Sequence, residues 1–224
     1  MANGEYPVKP IKQVLTSSIA PCNMIKTILF DVGGVITNQA DMPDFESLYR
    51  NFANRIGIDP QIVVDYHYKN INDMLIGKLT MRDFLNEVNK SDLTNDLIAI
   101  WTQEALKTTK LNTELLGIID KLRKNYRLGI LSDLTESRYF TDVELKIYDH
   151  FDSLFLSFKV GLKKPDKQFY LLALNEMKSQ PAETIFIDDK AEYVNAAKEL
   201  GLHGITYSGN NNLIEELKIL GVNL

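Results

Sequence analysis

The sequence contains few of the residues that build disulfide frameworks or membrane spans. It has a single cysteine, Cys22, in 224 residues, and one thiol cannot form an intrachain disulfide. No stretch approaches the roughly 20 consecutive apolar residues that a membrane helix needs. These absences exclude a disulfide-stapled secreted domain and a membrane partner, and they predict a cytoplasmic protein in a reducing compartment.

The sequence also lacks an excess of positive charge. It has 25 Lys and Arg residues against 30 Asp and Glu residues, a net charge of −5, which argues against a nucleic-acid partner. Hydrophobic residues make up 45% of the chain and charged residues 25%, which are ordinary globular values. We therefore expect a monomer or homodimer that acts on a small molecule.

Hydrophobic periodicity divides the chain into three parts. Residues 1–23 mix Pro, Gly, Ser and Lys without a sustained pattern and are interpreted as an N-terminal extension outside the fold. Residues 38–110 repeat apolar positions every three to four residues, which predicts an all-helical insertion. Residues 24–37 and 111–224 alternate short apolar strands with helices and predict an α/β core with a doubly wound parallel sheet.

Local signals support the predicted helices of the insertion. Pro60 falls where a helix commonly begins, and Thr80 is a candidate N-cap. Leu93, Leu97, Trp101 and Ala105 form an apolar stripe at helical spacing. Such a stripe is more often core than cofactor contact, and we interpret it as core.

Polar groups of complementary type follow the predicted strands. Strand 26–31 ends in Asp31, strand 127–132 ends in Ser132 and precedes Asp133, Lys164 lies in the connection after 153–157, and strand 184–188 ends in Asp188 and precedes Asp189. Parallel sheets bind ligands beyond the carboxyl ends of their strands, so we expect these groups to lie together. An acid, a hydroxyl, a cation and an acidic pair match what Mg²⁺-assisted phosphoryl transfer to a carboxylate needs.

These segments resemble the haloacid dehalogenase-like (HAD) hydrolase superfamily, in its phosphatase branch with an inserted helical (C1-type) cap. The resemblance spans about residues 25–224 and rests on four motifs in order, where h is an apolar residue. They are hhhhDxGGV at Asp31, hhhSD at Ser132, GLKKPDxxFY at Lys164 and hFIDDxxxxxxxAxxLG at Asp188. The resemblance implies a Rossmann-like core that hydrolyses a small phosphorylated metabolite, such as a sugar phosphate, through an aspartyl-phosphate intermediate.

The resemblance also implies a role for each matching residue. The catalytic residues would be Asp31 as nucleophile, Ser132 and Lys164. The phosphate contacts would be Gly33, Ser132, Asp133 and Lys164, with His67 as a candidate from the insertion. The ligands of a Mg²⁺ cofactor would be Asp31, the carbonyl of Gly33, Asp188 and Asp189.

The sequence departs from the family pattern at Gly33. Related phosphatases usually carry a second Asp there, which protonates the leaving group and then activates water. Positioned acid–base catalysis is worth about 10²–10⁴ in rate. Gly33 therefore predicts a slow enzyme, one limited to good leaving groups such as sugar-1-phosphates or acyl phosphates, or one that uses another acid. Asp133 is a candidate for that acid.

Specificity is expected from the helical insertion, which would close over the substrate. The polar and aromatic candidates there are Tyr66, His67, Tyr68, Asn70 and Asn72, and most of them are expected to be exposed helix residues. His67 is the first to test.

Other functions stay open on the sequence. A non-catalytic or regulatory protein of the same fold is supported by Gly33. A carbon–halogen hydrolase would also use an Asp nucleophile but needs no cation, so the pair Asp188 and Asp189 argues against it. A phosphotransferase or mutase would pass the phosphoryl group to another acceptor.

Overall fold

The computed structural model describes residues 24–37, 42–88 and 94–224, and the side chains of these residues except 42–45 and 94–95. The predicted N-terminal extension, with Cys22, lies outside the described residues.

Four helices follow the first strand in the described chain. They are α1 (Met42–Ile56), α2 (Pro60–Leu75), α3 (Met81–Glu87) and α4 (Thr94–Thr108). The side chain of Asp59 caps α2 by accepting from the Gln61 N–H. Thr80 caps α3 as predicted, in a reciprocal capping box with Asp83.

These helices share a hydrophobic cluster separate from the sheet. Phe52, Leu85 and Leu97 are fully buried in it, and Trp101 and Ala105 join them. The part of the apolar stripe that lies on α4 is therefore core, as predicted. Leu93 lies outside the described residues.

The remaining elements form the α/β part of the molecule. The strands are β1 (Thr27–Phe30), β2 (Arg127–Ser132), β3 (Ser153–Leu156), β4 (Thr184–Asp188) and β5 (His203–Thr206). The helices are α5 (Thr113–Leu122), α6 (Glu136–Glu144), α7 (Ser157–Val160), α8 (Lys167–Glu176), α9 (Ala191–Glu199) and α10 (Asn210–Ile219).

The strands pair in parallel in the order β3-β2-β1-β4-β5, which confirms the predicted doubly wound sheet. Ile28 and Phe30 pack in the core on one face of β1, whereas Leu29 packs on the opposite face with Phe186. Side chains alternate between the faces of a strand, and helices cover both faces. The central strands therefore read as continuous apolar runs.

Two local details differ from the sequence expectation. The residue pattern after β2 predicts a helical stretch to about His150. Helix α6 instead ends at Glu144, because Lys146 adopts a left-handed φ of 56° and a 3-10 turn, Ile147–His150, follows. The one-turn helix α7, which ends at Gly161 with φ 73°, was not predicted. Its four residues are too few to show helical periodicity.

The two parts of the molecule touch through specific contacts. Lys163, which precedes α8, donates a hydrogen bond of 2.5 Å to Asn72 of α2. Gly77, after α2, lies so close to α7 that a Cβ there would sit 2.0 Å from the Phe158 carbonyl oxygen. Among the described residues, no helix is long and apolar enough to span a bilayer.

Candidate active site

The carboxyl ends of β1 and β4 bring two carboxylates together. The strand order reverses direction between these strands, and open α/β sheets bind ligands at such a switch point. Phe30 pairs with Ile187, and the Asp31 N–H continues the ladder with a 2.9 Å hydrogen bond to the Ile187 carbonyl. Asp31 and Asp188, the residues that follow this pair, therefore emerge side by side.

Lys164 joins these two carboxylates from a neighbouring loop. Its side chain is completely buried, and its Nζ donates a 2.6 Å hydrogen bond to Asp188 Oδ2 and lies 3.0 Å from Asp31 Oδ1 as an ion pair. The Lys164 backbone N–H donates to Asp133 Oδ1 at 2.9 Å. The loop before α8 is thereby attached to the end of β2.

Burial and charge shift the pKa values of these groups. Burial alone would lower the pKa of Lys164, but Asp31, Asp188 and Asp133 outweigh it and raise that pKa. Burial raises the pKa of Asp188 and of Asp133, and the Lys164 ammonium opposes both shifts. Lys164 is therefore a fixed positive charge among carboxylates that burial makes harder to ionise.

Three carboxylates here could hold a divalent cation. One oxygen each from Asp31, Asp188 and Asp189 lies within 4.8 Å of the others. Burial and the charge of Asp31 raise the pKa of Asp189, so a cation would relieve repulsion in the group. Carboxylate oxygens are the ligands that Mg²⁺ prefers. The Asp188 oxygens accept from Lys164 and from the Lys190 N–H.

The two glycines after Asp31 have different surroundings. A Cβ at Gly34, whose φ is 78°, would lie 2.5 Å from Asp189 Cγ, so the loop can approach that carboxylate only without a side chain. A Cβ at Gly33 would meet nothing within 4 Å. The position where related phosphatases carry an acid is therefore open space in this chain.

A cavity of about 370 Å³ opens above these groups. Asp31, Gly33, Ser132, Asp133 and Lys164 line its floor, and α1 to α4 supply the opposite wall. Ser132 is buried at the end of β2 and faces this space. The predicted strand-end groups thus meet at one edge of the sheet.

The candidates from the insertion divide into two groups. Tyr66 and His67 line the cavity, and the His67 ring lies 5.0 Å from that of Tyr49. Burial lowers the pKa of His67 to about 4, so its imidazole is neutral at pH 7. Tyr68 is 54% exposed, and Asn72 binds Lys163.

The sequence interpretation missed a second, partly buried ion pair at the cavity. Arg138 and Asp142 of α6 both line it, and Arg138 Nε donates to the fully buried Asp142 Oδ1 at 2.8 Å. Arg138 also donates to Thr37 Oγ1 at 2.8 Å, which anchors the loop that follows Asp31. An i,i+4 pair of opposite charges usually lies on an exposed helix face, so the sequence carried no signal for this role.

Tyr193 is a further cavity residue to which the sequence interpretation gave no role. Its ring lines the cavity with its centroid 5.0 Å from Lys164 Nζ, close enough for a cation–π contact. The Tyr170 hydroxyl donates to the Tyr193 carbonyl at 3.0 Å and steadies this part of α9.

Comparison with known proteins gives a consistent family. The profile of the haloacid dehalogenase-like hydrolases matches residues 28–207. The chain is 40% identical to the sesquiterpene phosphatase astK of Aspergillus oryzae over 202 residues, 89% of this chain and 98% of that protein. It is 27% identical to the D-ribitol-5-phosphate phosphatase of Bacteroides thetaiotaomicron over 209 residues, 88% of this chain and 98% of that one. The match to the longer bifunctional epoxide hydrolase 2 of Sus scrofa covers only 23% of that protein.

Solved structures share the fold. The HAD family enzyme bt-2542 of Bacteroides thetaiotaomicron, in complex with magnesium and inorganic phosphate, superimposes with a TM-score of 0.66 at 24% identity. The superposition covers 82% of this chain and 94% of that one. At this identity the likeness supports the architecture alone.

Proposed function

This chain belongs to the haloacid dehalogenase-like hydrolase family as an enzyme of its phosphatase branch, and we propose that it hydrolyses a small phosphomonoester with the help of Mg²⁺. The observation that carries the proposal is Lys164, buried between Asp31 and Asp188 at the floor of the cavity. A buried lysine beside one carboxylate that faces the cavity can neutralise a phosphoryl group while that carboxylate attacks it.

The reaction proceeds by two displacements at phosphorus. In the first, an oxygen of Asp31 forms a bond to phosphorus, and the bond to the ester oxygen breaks, so that oxygen leaves with the electron pair and takes up a proton. In the second, water attacks the phosphorus of the aspartyl phosphate, releasing inorganic phosphate and restoring the Asp31 carboxylate. Ser132 and Lys164 bind the phosphoryl oxygens in both steps.

Asp31, the Gly33 carbonyl and Asp189, with Asp188 behind them, would hold the Mg²⁺. The ion would polarise the phosphoryl group and offset the repulsion between an anionic nucleophile and an anionic substrate. Two features fit this role. The three carboxylates lie close together, and the backbone at Gly34 comes so near to Asp189 that no side chain would fit between them.

Asp133 is the proposed proton donor in place of the acid that Gly33 lacks. It lines the cavity beside Ser132, and burial raises its pKa, which favours the protonated form that can donate. Its Oδ1 is engaged by the Lys164 N–H, so the proton would be on Oδ2.

Helices α1 to α4 act in this proposal as a cap, the 38–110 insertion, over the core formed by 24–37 and 111–224. The cap would exclude water and choose the leaving group. Two relatives are named for different leaving groups, a sugar alcohol and a sesquiterpene. These names include both the kind of sugar phosphate predicted from the sequence and an ester of an apolar alcohol.

Phosphate release from a set of phosphomonoesters, with Mg²⁺ or with a chelator, tests the proposal. We expect turnover that needs Mg²⁺ and disappears in Asp31→Asn, whose amide cannot attack phosphorus. Chelator-resistant turnover would contradict the metal role. Mg²⁺-dependent transfer to an added sugar without free phosphate would instead indicate a phosphotransferase. If no ester is hydrolysed while inorganic phosphate still binds, the chain is a non-catalytic protein of this fold.

A further inference from the structure

The walls of the cavity differ sharply in chemistry from its floor. The charged residues that line it are Asp31, Asp133, Arg138, Asp142, Lys164 and Lys190, and all of them come from the α/β core. Among the described residues, helices α1 to α4 contribute no Asp, Glu, Lys or Arg to the lining. Their lining is mainly apolar and includes Leu48, Phe52, Val63, Met74, Phe84 and Trp101.

This apolar chamber is a site to be filled rather than a packing defect. Native interiors contain few voids larger than a water molecule, whereas about 370 Å³ is within the ~300–1,000 Å³ typical of small-molecule sites. At roughly 30 Å³ per non-hydrogen atom, the share of one water in the liquid, that volume accommodates on the order of a dozen atoms. The space is continuous with Asp31 and Lys164, so one ligand can reach both.

A polyhydroxylated leaving group would find few hydrogen-bonding partners in this chamber. Each hydroxyl taken from water needs a hydrogen-bonding partner, because a buried unpaired polar group is costly. The side chains with a polar group that the helices offer to the cavity are few, namely Tyr49, Tyr66, His67, Trp101 and Thr108. The His67 imidazole is itself neutral within this apolar setting.

We propose, on the basis of the phosphatase function above, that the substrate is the phosphate monoester of a bulky apolar alcohol. Its phosphate lies at Asp31, Ser132 and Lys164, and its hydrocarbon fills the chamber lined by α1 to α4. The apolar residues of α1 to α4 that the sequence predicts as core thus also form the wall that selects the leaving group.

A homologous series of primary alkyl phosphates, from butyl to dodecyl, tests the proposal. The leaving alcohols of the series have nearly the same acidity, so differences in kcat/KM report burial of the chain. We expect kcat/KM to rise about fourfold for each methylene that is buried and to level off when the chamber is full. Ribitol 5-phosphate and glycerol 3-phosphate should have a kcat/KM at least about a hundredfold lower than decyl phosphate, the product of several such increments. A flat series, or a preference for ribitol 5-phosphate, would overturn the proposal.

Two matched variants on α2 test where the alkyl chain of the substrate binds. Ile71 is half-buried and lines the chamber, whereas Ile62 is 46% exposed and is outside the lining. Ile71→Asn should reduce the dependence on chain length and lower kcat/KM for decyl phosphate about tenfold. Ile62→Asn makes the same chemical change on the same helix and should retain the full dependence. Equal effects of the two variants would mean that the alkyl chain of the substrate binds outside the chamber, which would overturn the proposal.

Binding of alkyl phosphonates separates this proposal from the phosphatase function. These analogues have no ester bond to break. Calorimetry of butyl to dodecyl phosphonate with Mg²⁺ therefore measures how affinity depends on chain length even if turnover fails. Affinity that rises with chain length but no phosphate release from any ester would overturn the catalytic function alone. Phosphate release from small polar esters without any chain-length dependence would overturn the apolar substrate alone.

Discussion

The buried ammonium of Lys164 donates a 2.6 Å hydrogen bond to Asp188 Oδ2, and both side chains are wholly removed from solvent. This pair connects the loop before α8 to the end of β4. Asp31 lies 3.0 Å from the same nitrogen, so one lysine holds both the proposed nucleophile and its neighbour in place. Stability and catalysis therefore depend on the same atom.

Removing that lysine should damage both properties. Lys164→Met leaves Asp31 and Asp188 buried without their cation, and breaking a buried ion pair costs about 3–5 kcal/mol. We expect a loss of that order in the free energy of unfolding, measured by urea titration without Mg²⁺, and no detectable phosphate release.

The adjacent lysine supplies the matched control. Lys163 contacts Asn72 at the surface, and such exposed contacts contribute about 1 kcal/mol or less. Lys163→Met should therefore change the free energy of unfolding by no more than about 1 kcal/mol. Similar losses in the two variants would show that the buried position of Lys164 is not what matters.

The strand-end residues of the site were predictable because they follow from local sequence and one topological rule. Asp31, Ser132 and Asp188 each end an apolar run, and a parallel sheet brings such ends to one edge. The motif already selected Lys164 over the adjacent Lys163, but a motif does not show how deeply a side chain is buried. The complete burial of Lys164 between Asp31 and Asp188 is a feature of the tertiary structure.

The cavity could not be predicted in the same way. Trp101 and Ala105 are spaced as core residues and are core, yet they also line the chamber. Periodicity identifies the face of a helix that avoids water, and it does not tell whether protein or ligand covers that face. Arg138 and Asp142 were missed for a related reason, since an i,i+4 pair looks alike in sequence whether exposed or buried.

Restoring an acid at position 33 should speed up hydrolysis of esters with poor leaving groups. Gly33 has an ordinary φ and room for a Cβ, so Gly33→Asp can be accommodated without backbone strain. We expect kcat for alkyl phosphates to rise by about 10–10², part of the 10²–10⁴ that positioned acid–base groups give.

Gly33→Asn has nearly the same shape but no acidic proton and should give no gain. At the next position, Gly34→Ala should lose Mg²⁺ binding, because its Cβ would collide with Asp189. A gain in Gly33→Asn equal to that in Gly33→Asp would mean that the added group acts by packing rather than by proton transfer.

The proposed role of Asp133 predicts a pH dependence. Burial raises the pKa of Asp133, and only its protonated form can donate. The kcat for alkyl phosphates should therefore fall as the pH rises through that pKa. Asp133→Asn keeps an oxygen for the Lys164 N–H but has no acidic proton, so it should be slower by about 10²–10³ and should lose this alkaline decline. Acetyl phosphate, whose leaving group needs no proton, should be hydrolysed by both proteins at similar rates, and an unchanged pH profile in Asp133→Asn would refute the role.

His67 should make the protein less stable in mild acid. Its pKa is about 4 in the folded protein because of burial, against about 6.5 in an unfolded chain. Between these values the unfolded state binds more protons, so the free energy of unfolding increases with pH. The stability that His67 contributes as a neutral ring is fully present above about pH 6.5. It is lost as the pH falls toward 4, which lowers the free energy of unfolding by on the order of 2–3 kcal/mol.

His67→Phe keeps a ring beside Tyr49 but does not titrate. Urea titrations between about pH 4 and 6.5 should therefore show a shallower pH dependence of the free energy of unfolding than in the unchanged protein. Parallel curves for the two proteins would contradict the assignment.

The close approach of Gly77 to Phe158 should make a side chain at position 77 more destabilising than one at another glycine with the same backbone conformation. Gly77 and Gly57 share a φ of 71°, but a Cβ would lie 2.0 Å from the Phe158 carbonyl oxygen at Gly77 and would meet nothing within 4 Å at Gly57. Gly57→Ala should therefore cost only the strain of a left-handed backbone, about 1–2 kcal/mol. Gly77→Ala adds the collision and should also separate α2 from α7, which opens the chamber wall next to Ile71. We expect urea titration to give a loss for Gly77→Ala at least about 2 kcal/mol larger than for Gly57→Ala, together with a weaker dependence of kcat/KM on alkyl chain length. Equal losses would mean that the cap is held to the core mainly by other contacts, such as that between Lys163 and Asn72.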